Sequence, residues 1–188
     1  AEMLAFSQGV TRRGSYAAYL DMSHPEIEEF LDVRKPTGGD INRKSTNLHH
    51  GVVVSDKFMQ CIENATRIPG YDDSWDLVDP NSGEVKKTVS AKALWVKLIQ
   101  NRVETGEPYI MFGDTVDEAV PEFQQKLGLK VHQSNLCSEI TLPTDKDRTA
   151  VCCLSSVNLE EYDEWKYNDQ FIPDLIRMLD NVLENFIN

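Results

Sequence analysis

The chain has 188 residues, of which 40% are hydrophobic and 27% charged, and this composition is typical of a folded globular chain. It contains no apolar run near the roughly 20 residues that span a bilayer and no recognisable signal peptide, so we expect no membrane partner. The net charge of −12 argues against nucleic acid bound through its backbone, which needs clustered lysine and arginine, although helix N-termini and backbone amides can still bind a nucleotide.

The N-terminal part of the chain predicts a helix end, a strand and a short helix, in that order. Residues 1–9 have the pattern of a helix that Gly9 closes, and Thr11–Tyr19 indicates a turn followed by a short strand. The next helix should begin with Ser23 as its N-cap and end near Val33.

A long loop and a buried strand follow this helix. Lys35–Asn47 is largely polar and contains two adjacent glycines, and loops of this length are usually functional or disordered. Leu48–Ser55 contains a continuous apolar run, which is typical of a strand buried on both faces. Two adjacent histidines, His49 and His50, cannot share one face of a strand, so we expect at least one to be structural and neither to be a metal ligand.

A helix and a hairpin are indicated next. Asp56 can cap a helix that runs to about Asn64. Trp75–Val78 and Glu84–Thr88 flank a sequence rich in turn residues, and this arrangement predicts a β-hairpin.

The middle of the chain carries a strongly amphipathic helical pattern. A helix should extend from an N-cap at Ser90 to about Glu104 and close at Gly106. Pro108–Phe112 predicts a further buried strand, and residues 113–132 a helix or loop connection.

The connection leads to Gln133–Ile140, where an amide, a thiol and a carboxylate occupy every second position. In an extended backbone Asn135, Cys137 and Glu139 would share one face. The set joins a hydrogen-bonding amide, a sulfur suited to redox or nucleophilic chemistry, and a proton acceptor. On spacing alone, an ordinary half-buried strand with polar residues on its wet side is the more frequent meaning of such a pattern.

The C-terminal part predicts one more strand and one long helix. The strand should run from Cys152 to Leu159, and the helix from Asp169 onward, with an apolar stripe that belongs to the core. Strands that alternate with helices along the whole chain predict an α/β fold with parallel strands.

The cysteines are Cys61, Cys137, Cys152 and Cys153. They form no CxxC pair, and no histidine lies at zinc-finger spacing, so we expect no structural zinc site. Adjacent Cα atoms are about 3.8 Å apart, closer than the roughly 4.4–6.8 Å usual in a disulfide, so Cys152 and Cys153 should not bridge each other. The thiols suit a reducing, cytoplasmic compartment and catalytic use.

Two blocks of sequence carry a resemblance to a known family. Ser134-Asn135-Leu136-Cys137-Ser138-Glu139-Ile140 resembles the active-site finger loop of the large, catalytic subunit of class I ribonucleotide reductases. Ala150–Leu159, with the sequence AVCCLSSVNL, resembles the strand of that family that carries one of its two reducing cysteines. The resemblance extends over nearly the whole chain, most weakly around residues 65–90 and 113–130.

The resemblance implies a fold that the composition does not show. It implies part of the first half of a ten-stranded α/β barrel, with the finger loop threading its centre. The chain begins at Ala1 without methionine and ends at Asn188 in an apolar helical pattern. We therefore expect residues 1–188 to be a segment of the catalytic barrel domain, cut at both ends.

The resemblance also implies roles for four residues in ribonucleoside-diphosphate reduction. Cys137 would become a thiyl radical that removes the 3′-hydrogen of the substrate ribose, and Glu139 would accept the 3′-hydroxyl proton. Asn135 would hydrogen-bond the substrate and hold Glu139 in place. Cys152 would be the reducing cysteine, with its partner on a strand before Ala1.

The polar loop at 35–47 matches the family's substrate-specificity loop, which relays the identity of a bound dNTP or ATP effector to the choice of substrate base. Arg43 is the match to an arginine that contacts the base, and Gly38, Gly39 and Asn42 lie in the same loop. The alternative is a flexible surface loop.

The implied partners are a radical-generating, metal-containing small (beta) subunit, a second large subunit in a homodimer, the remainder of the large subunit, and a nucleoside diphosphate. Thioredoxin or glutaredoxin would be the reductant, and this chain would itself bind no cofactor. Leu136 and Ser138 favour class I, since the cobalamin-dependent class more typically has Asn-Pro-Cys-Gly-Glu. A catalytically silent nucleotide-binding or assembly segment of a split reductase, with thiols that are only core, is the alternative.

Overall fold

The computed structural model describes residue 11 and residues 13–187, which divide into two compact units at Arg148 and Thr149. The helix end predicted over residues 1–9 lies outside the described residues. The elements of the first unit are, in chain order, β1 (Ala17–Asp21), α1 (Ile27–Leu31), β2 (His49–Val54), α2 (Asp56–Arg67), β3 (Ser74–Val78), β4 (Val85–Ser90), α3 (Ala91–Thr105), β5 (Tyr109–Phe112), α4 (Gly113–Ala119) and α5 (Glu122–Lys126). The second unit contains a 3-10 turn and two helices, Leu159–Glu161, α6 (Tyr162–Trp165) and α7 (Phe171–Ile187).

A three-stranded parallel sheet of order β1-β2-β5 forms the centre of the first unit. Parallel strands need a crossover connection, and helices α1, α2 and α3 lie on the chain between the strands. The α/β prediction with parallel strands is confirmed. The predicted hairpin is also present, as β3 paired antiparallel with β4 in a separate two-stranded sheet.

The two faces of the parallel sheet bury different side chains, because successive strand residues point to opposite faces. Val52 and Val54 of β2 lie in the larger hydrophobic cluster with residues of the three helices, whereas Val53 packs on a smaller cluster. The larger cluster contains Met22, Ile27, Leu31, Phe58, Ile62, Trp75, Leu77, Ala91, Leu94 and Leu98 besides the two valines. The smaller cluster contains Met111, Val120 and Val131, and it lies beside the segment that leads to Gln133.

Two of the predicted helix starts are wrong, because neither predicted N-cap side chain caps its helix. Ser23 bonds Asp21 through its hydroxyl and, at 2.7 Å, through its backbone N–H, so it closes a turn and α1 begins only at Ile27. At α2 the Ser55 hydroxyl accepts from the Phe58 N–H at 3.2 Å, and Asp56 is the first helical residue.

Helix α3 follows its prediction at both ends. The Ser90 hydroxyl accepts from the Ala93 N–H at 3.0 Å. Gly106 ends the helix in the left-handed region, at φ 80°, and donates its N–H to the Arg102 carbonyl at 2.8 Å. The strand predicted at 108–112 is confirmed as β5.

The second unit differs from its prediction in two respects. No strand forms at 152–159 among the described residues, because a strand needs a paired neighbour and none lies beside this segment. Helix α7 is present, but none of its described residues is buried, so the predicted core stripe is wrong for this unit: Phe186, for instance, is 86% exposed.

A buried carboxylate joins β2 to the start of β5, and nothing in the sequence pattern predicted it. Glu107 accepts from His49 Nδ1 at 2.5 Å, from the His50 backbone N–H at 3.1 Å and from His50 Nδ1 at 3.2 Å. The guanidinium of Arg34 lies 3.5 Å from the same carboxylate. Both histidines therefore serve the structure, which confirms that at least one of them is structural.

The electrostatics of this cluster make it sensitive to acid. Burial alone would raise the pKa of Glu107, but hydrogen bonds from His49 and the His50 N–H, together with Arg34, hold that pKa below its usual value. Burial lowers the pKa of His50. Since both groups release their protons more readily folded than unfolded, their contribution to stability is present at neutral pH. It declines as the pH falls below 6.5 for His50, and at lower pH again for Glu107.

We predict that Glu107→Gln lowers the free energy of unfolding by about 1–3 kcal/mol, because an amide cannot replace a carboxylate that accepts three hydrogen bonds. Urea denaturation of the wild-type and variant proteins would measure it. Glu104→Gln is the control, because the exposed Glu104 side chain pairs only at the surface with Lys35, at 3.1 Å. That change should cost less than about 0.5 kcal/mol, and equal losses in the two variants would contradict the role of Glu107.

Candidate active site

The segment Ser134–Ile140, which we call the finger, forms a tight turn and not an extended strand. The Ser138 N–H donates to the Asn135 carbonyl at 3.1 Å, and the Glu139 N–H donates to the Cys137 carbonyl at 2.6 Å. Ser138 has φ +55°, and it is the one residue other than glycine with positive φ among the described residues. The prediction that Asn135, Cys137 and Glu139 share the face of a strand is therefore wrong.

The side chain of Asn135 explains the turn. Its Oδ1 accepts from the Cys137 N–H at 2.8 Å, which is the local backbone bond that asparagine makes in turns. This bond competes with extended structure and bends the chain at Cys137. The three chemically active side chains still lie within five consecutive residues, and all three are exposed. The bend, and not strand alternation, is what presents the amide, the thiol and the carboxylate together to solvent.

The base of the finger is buried and closed by a side chain. Ser134 is only 5% exposed, and its hydroxyl donates to the Ile140 carbonyl at 2.7 Å. Val131 lies in the smaller cluster, and its N–H donates to Asp117 at 3.0 Å. The Tyr19 hydroxyl of β1 donates to the Asn135 carbonyl at 3.3 Å. Sequence reasoning missed Ser134 and Tyr19, because neither carries reactive chemistry.

The thiols of the second unit lie in irregular chain. Cys152 is exposed and Cys153 is half-buried, and both are free. The choice of Cys152 as the reactive one of the pair stays a prediction. In the first unit Cys137 is exposed, whereas Cys61 is half-buried on α2, where burial raises the pKa of its thiol.

The loop at 35–47 is tied to α1 and its flanks. Arg43 Nη2 lies 2.8 Å from Glu26 and its Nε 2.8 Å from Glu29. Lys44 Nζ donates to the Asp32 carbonyl at 3.0 Å.

The glycines and polar residues of this loop shape its tip. Gly38 and Gly39 have φ of 77° and 71°, which side chains rarely adopt. Asp40 then caps the 3-10 turn Ile41–Arg43 by accepting from the Asn42 N–H at 2.9 Å. A surface pocket lies between this turn and α1, and it is lined by Glu26, Glu29, Phe30, Val33 and Arg43.

Residues 13–187 lack two features that would indicate a membrane span or a metal site. None of the helices there has the length and apolar character needed to cross a bilayer. The same residues hold no group of three or more histidine, cysteine or carboxylate side chains that could bind a metal ion.

Comparison with known proteins identifies the family. The family model described as "Ribonucleotide reductase, barrel domain" matches residues 1–188. The chain is 53% identical to the putative ribonucleoside-diphosphate reductase large subunit of Frog virus 3 (isolate Goorha), over 100% of this chain and 32% of that protein. It is 46% identical to the ribonucleoside-diphosphate reductase large subunit of Invertebrate iridescent virus 3, over 100% of this chain and 37% of that protein.

A solved structure agrees with these relatives. The class Id ribonucleotide reductase alpha subunit of Actinobacillus ureae superposes with a TM-score of 0.70 at 34% identity, over 91% of this chain and 28% of that chain. The chain therefore belongs to the ribonucleotide reductase barrel-domain family, and its fold is part of the family's α/β barrel. It spans about a third of the length of the two viral relatives.

We predict that the backbone of Ser138 limits what this position accepts. Ser138→Gly should leave turnover of the complete enzyme close to that of the wild type, because glycine adopts positive φ freely. Ser138→Val should lower turnover at least about tenfold, because a β-branched residue resists this conformation and would shift Cys137. Steady-state assays of the two variants test the idea, and equal activity of the glycine and valine variants would contradict it.

Proposed function

We propose that this chain is the part of a class I ribonucleoside-diphosphate reductase large subunit that holds the hydrogen-abstracting cysteine, Cys137. The complete enzyme reduces ribonucleotides to deoxyribonucleotides for DNA synthesis. The observation that carries the proposal is the exposed finger turn, which presents Asn135, Cys137 and Glu139 together in a chain that matches the family over its whole length.

The proposed chemistry begins at the Cys137 sulfur. The metal-containing small subunit supplies the one-electron oxidation of this thiol, and no cofactor binds directly to this chain. The Cys137 thiyl removes the 3′-hydrogen of the ribose, and Glu139 accepts the 3′-hydroxyl proton as the 2′-hydroxyl leaves as water. A pair of thiols becomes a disulfide and supplies two electrons and two protons, one to the departing 2′-hydroxyl and one to C2′. Glu139 then returns its proton to the 3′ oxygen, and Cys137 returns its hydrogen to C3′.

Each finger residue is suited to its part. An exposed thiol and an exposed carboxylate can both meet a substrate without unfolding of the site. Asn135 uses Oδ1 to hold the Cys137 N–H, so its Nδ2 donors are the atoms with which it would bind substrate or hold Glu139.

Cys152 is the proposed reducing thiol of this chain, and its partner belongs to the remainder of the large subunit. Thioredoxin or glutaredoxin would then restore the dithiol. None of the four cysteines is in a disulfide, which suits the reducing cytoplasm where we place the enzyme. The remainder of the large subunit, a second large subunit and the small subunit are the proposed protein partners.

The loop at 35–47, with Gly38, Gly39, Asn42 and Arg43, is the proposed specificity loop. Its Arg43 would contact the substrate base in response to ATP or dNTP effectors. For this, Arg43 has to leave Glu26 and Glu29. Exposed ion pairs of this kind are weak, so a nucleotide can compete for the guanidinium.

The alternative of a silent segment requires that the thiols serve only as core. The exposure of Cys137 and Cys152 argues against that alternative, because neither side chain is buried within its own unit.

We predict that Cys137→Ser, in the complete large subunit with its small subunit, gives no deoxynucleotide, because a hydroxyl cannot form the required radical under these conditions. The variant should retain the wild-type unfolding midpoint, since the replaced side chain is exposed. Cys61→Ser is the control and should keep turnover. Product formed by Cys137→Ser above the assay background would refute the assignment.

We predict that Cys152, and not Cys153, enters a disulfide during catalysis. Mass spectrometry after a single turnover without external reductant should find Cys152 linked to a cysteine outside this chain. Cys153 should remain a thiol, because it is less accessible. A disulfide at Cys153 would mean that the alignment of AVCCLSSVNL is displaced by one residue.

A further inference from the structure

In one row of paired residues across the parallel sheet, a glycine lies between two tyrosines. The register aligns Tyr19 of β1 with Gly51 of β2 and Gly51 with Tyr109 of β5. A Cβ atom at Gly51 would lie 2.3 Å from Cε1 of Tyr19, so the tyrosine ring occupies the space above the glycine. The tyrosine ring therefore packs directly on the glycine backbone, and a side chain at position 51 would displace the ring.

The Tyr19 ring lies on the face of the sheet that carries the finger. Tyr19 packs on the smaller cluster, as does Val53, while Val131 of that cluster leads into the finger. The neighbouring β1 residue, Leu20, packs instead on the larger cluster behind the sheet. Strand alternation thus directs Tyr19 toward the finger and away from the helices.

The hydroxyl of Tyr19 reaches the carbonyl that closes the turn around Cys137. The Asn135 carbonyl accepts from the Ser138 N–H at 3.1 Å and from the Tyr19 hydroxyl at 3.3 Å. Burial raises the pKa of Tyr19, and a contact with Ser134 offsets this only in part, so the hydroxyl is a neutral donor at physiological pH. Two backbone groups of the turn, at Asn135 and Ser138, are thus linked to a rigid strand.

We propose that Tyr19 is a positioning residue for the proposed hydrogen abstraction. Its ring packs on Gly51, and its hydroxyl fixes the position of the Cys137 turn relative to the sheet. The inference rests on the proposed function of Cys137. Tyr19 touches no substrate in this scheme. It acts through the Asn135 carbonyl, and hydrogen transfer is sensitive to displacements well below 1 Å.

The test is Tyr19→Phe in the complete large subunit, which keeps the ring on Gly51 and removes only the hydroxyl. We expect kcat to fall by about three- to tenfold while KM for the nucleoside diphosphate stays within about twofold, because the bond orders the turn and does not bind substrate. With substrate deuterated at C3′, the isotope effect on kcat should increase, because hydrogen abstraction becomes more rate-limiting. A merely structural loss of folded enzyme would lower kcat without changing that isotope effect.

Tyr109→Phe is the matched control. It removes the same hydroxyl from the same row of the sheet, and no hydrogen bond from this hydroxyl to the finger is present among the described residues. Its kcat and isotope effect should match the wild type. Equal losses in the Tyr19 and Tyr109 variants would refute a specific role for the bond to Asn135.

A second pair of variants tests the contact between the Tyr19 ring and Gly51. Gly51→Ala should lower kcat in the presence of Tyr19, because the added methyl displaces the ring, and it should have little further effect when combined with Tyr19→Ala. If the two changes are additive, the ring and the glycine are not coupled and the inference fails.

Wild-type kinetics in Tyr19→Phe would also overturn the inference about Tyr19. In that case an inactive Cys137→Ser variant would leave the proposed function of Cys137 intact. Activity in Cys137→Ser would overturn the proposed function itself.

Discussion

Parallel pairing of β1, β2 and β5 is the constraint on which the rest of the first unit depends. Each parallel step requires a crossover, so the chain must place α1, α2 and α3 against the sheet before it can add the next strand. These helices cover one face and bury Val52 and Val54 there. The opposite face is left for the finger, whose approach is packed on Met111 and Val120. The larger hydrophobic core therefore lies on one face of the sheet, and the finger with its proposed catalytic residues lies on the other.

The same pairing explains why a buried charge is tolerated at one end of the sheet. Glu107 precedes β5 just where β2 begins with two histidines, and its carboxylate accepts from the ring of each histidine and from the backbone N–H of His50. A buried carboxylate without such partners would be strongly destabilising, whereas a paired one fixes the relation of neighbouring segments. Since Arg34 also donates to the Leu48 carbonyl at 2.7 Å, the cluster ties the two ends of the proposed specificity loop together.

Sequence reasoning succeeded where local signals and tertiary packing agree. Helix α3 has a serine cap, a helical apolar stripe and a terminal glycine, and all three were visible in the sequence. It failed at the finger, where a period of two suggested a strand but the asparagine side chain satisfied the backbone locally. It failed again at 152–159, because a strand is defined by its neighbour and the part of the chain that the structure describes supplies none there. The Glu107 cluster joins residues 58 positions apart, and no pattern of a single sequence connects such positions.

The geometry of the finger is also compatible with the second sequence form, in which proline and glycine flank the cysteine. Leu136 is the second residue of the turn that the Ser138 N–H closes on the Asn135 carbonyl, and proline is favoured at the second position of such turns. Ser138 has positive φ, which glycine adopts without strain. The Asn-Pro-Cys-Gly-Glu form of the cobalamin-dependent class therefore places its two different residues where this turn accepts them best. Proline at position 136 and glycine at position 138 are thus both compatible with the bend around Cys137.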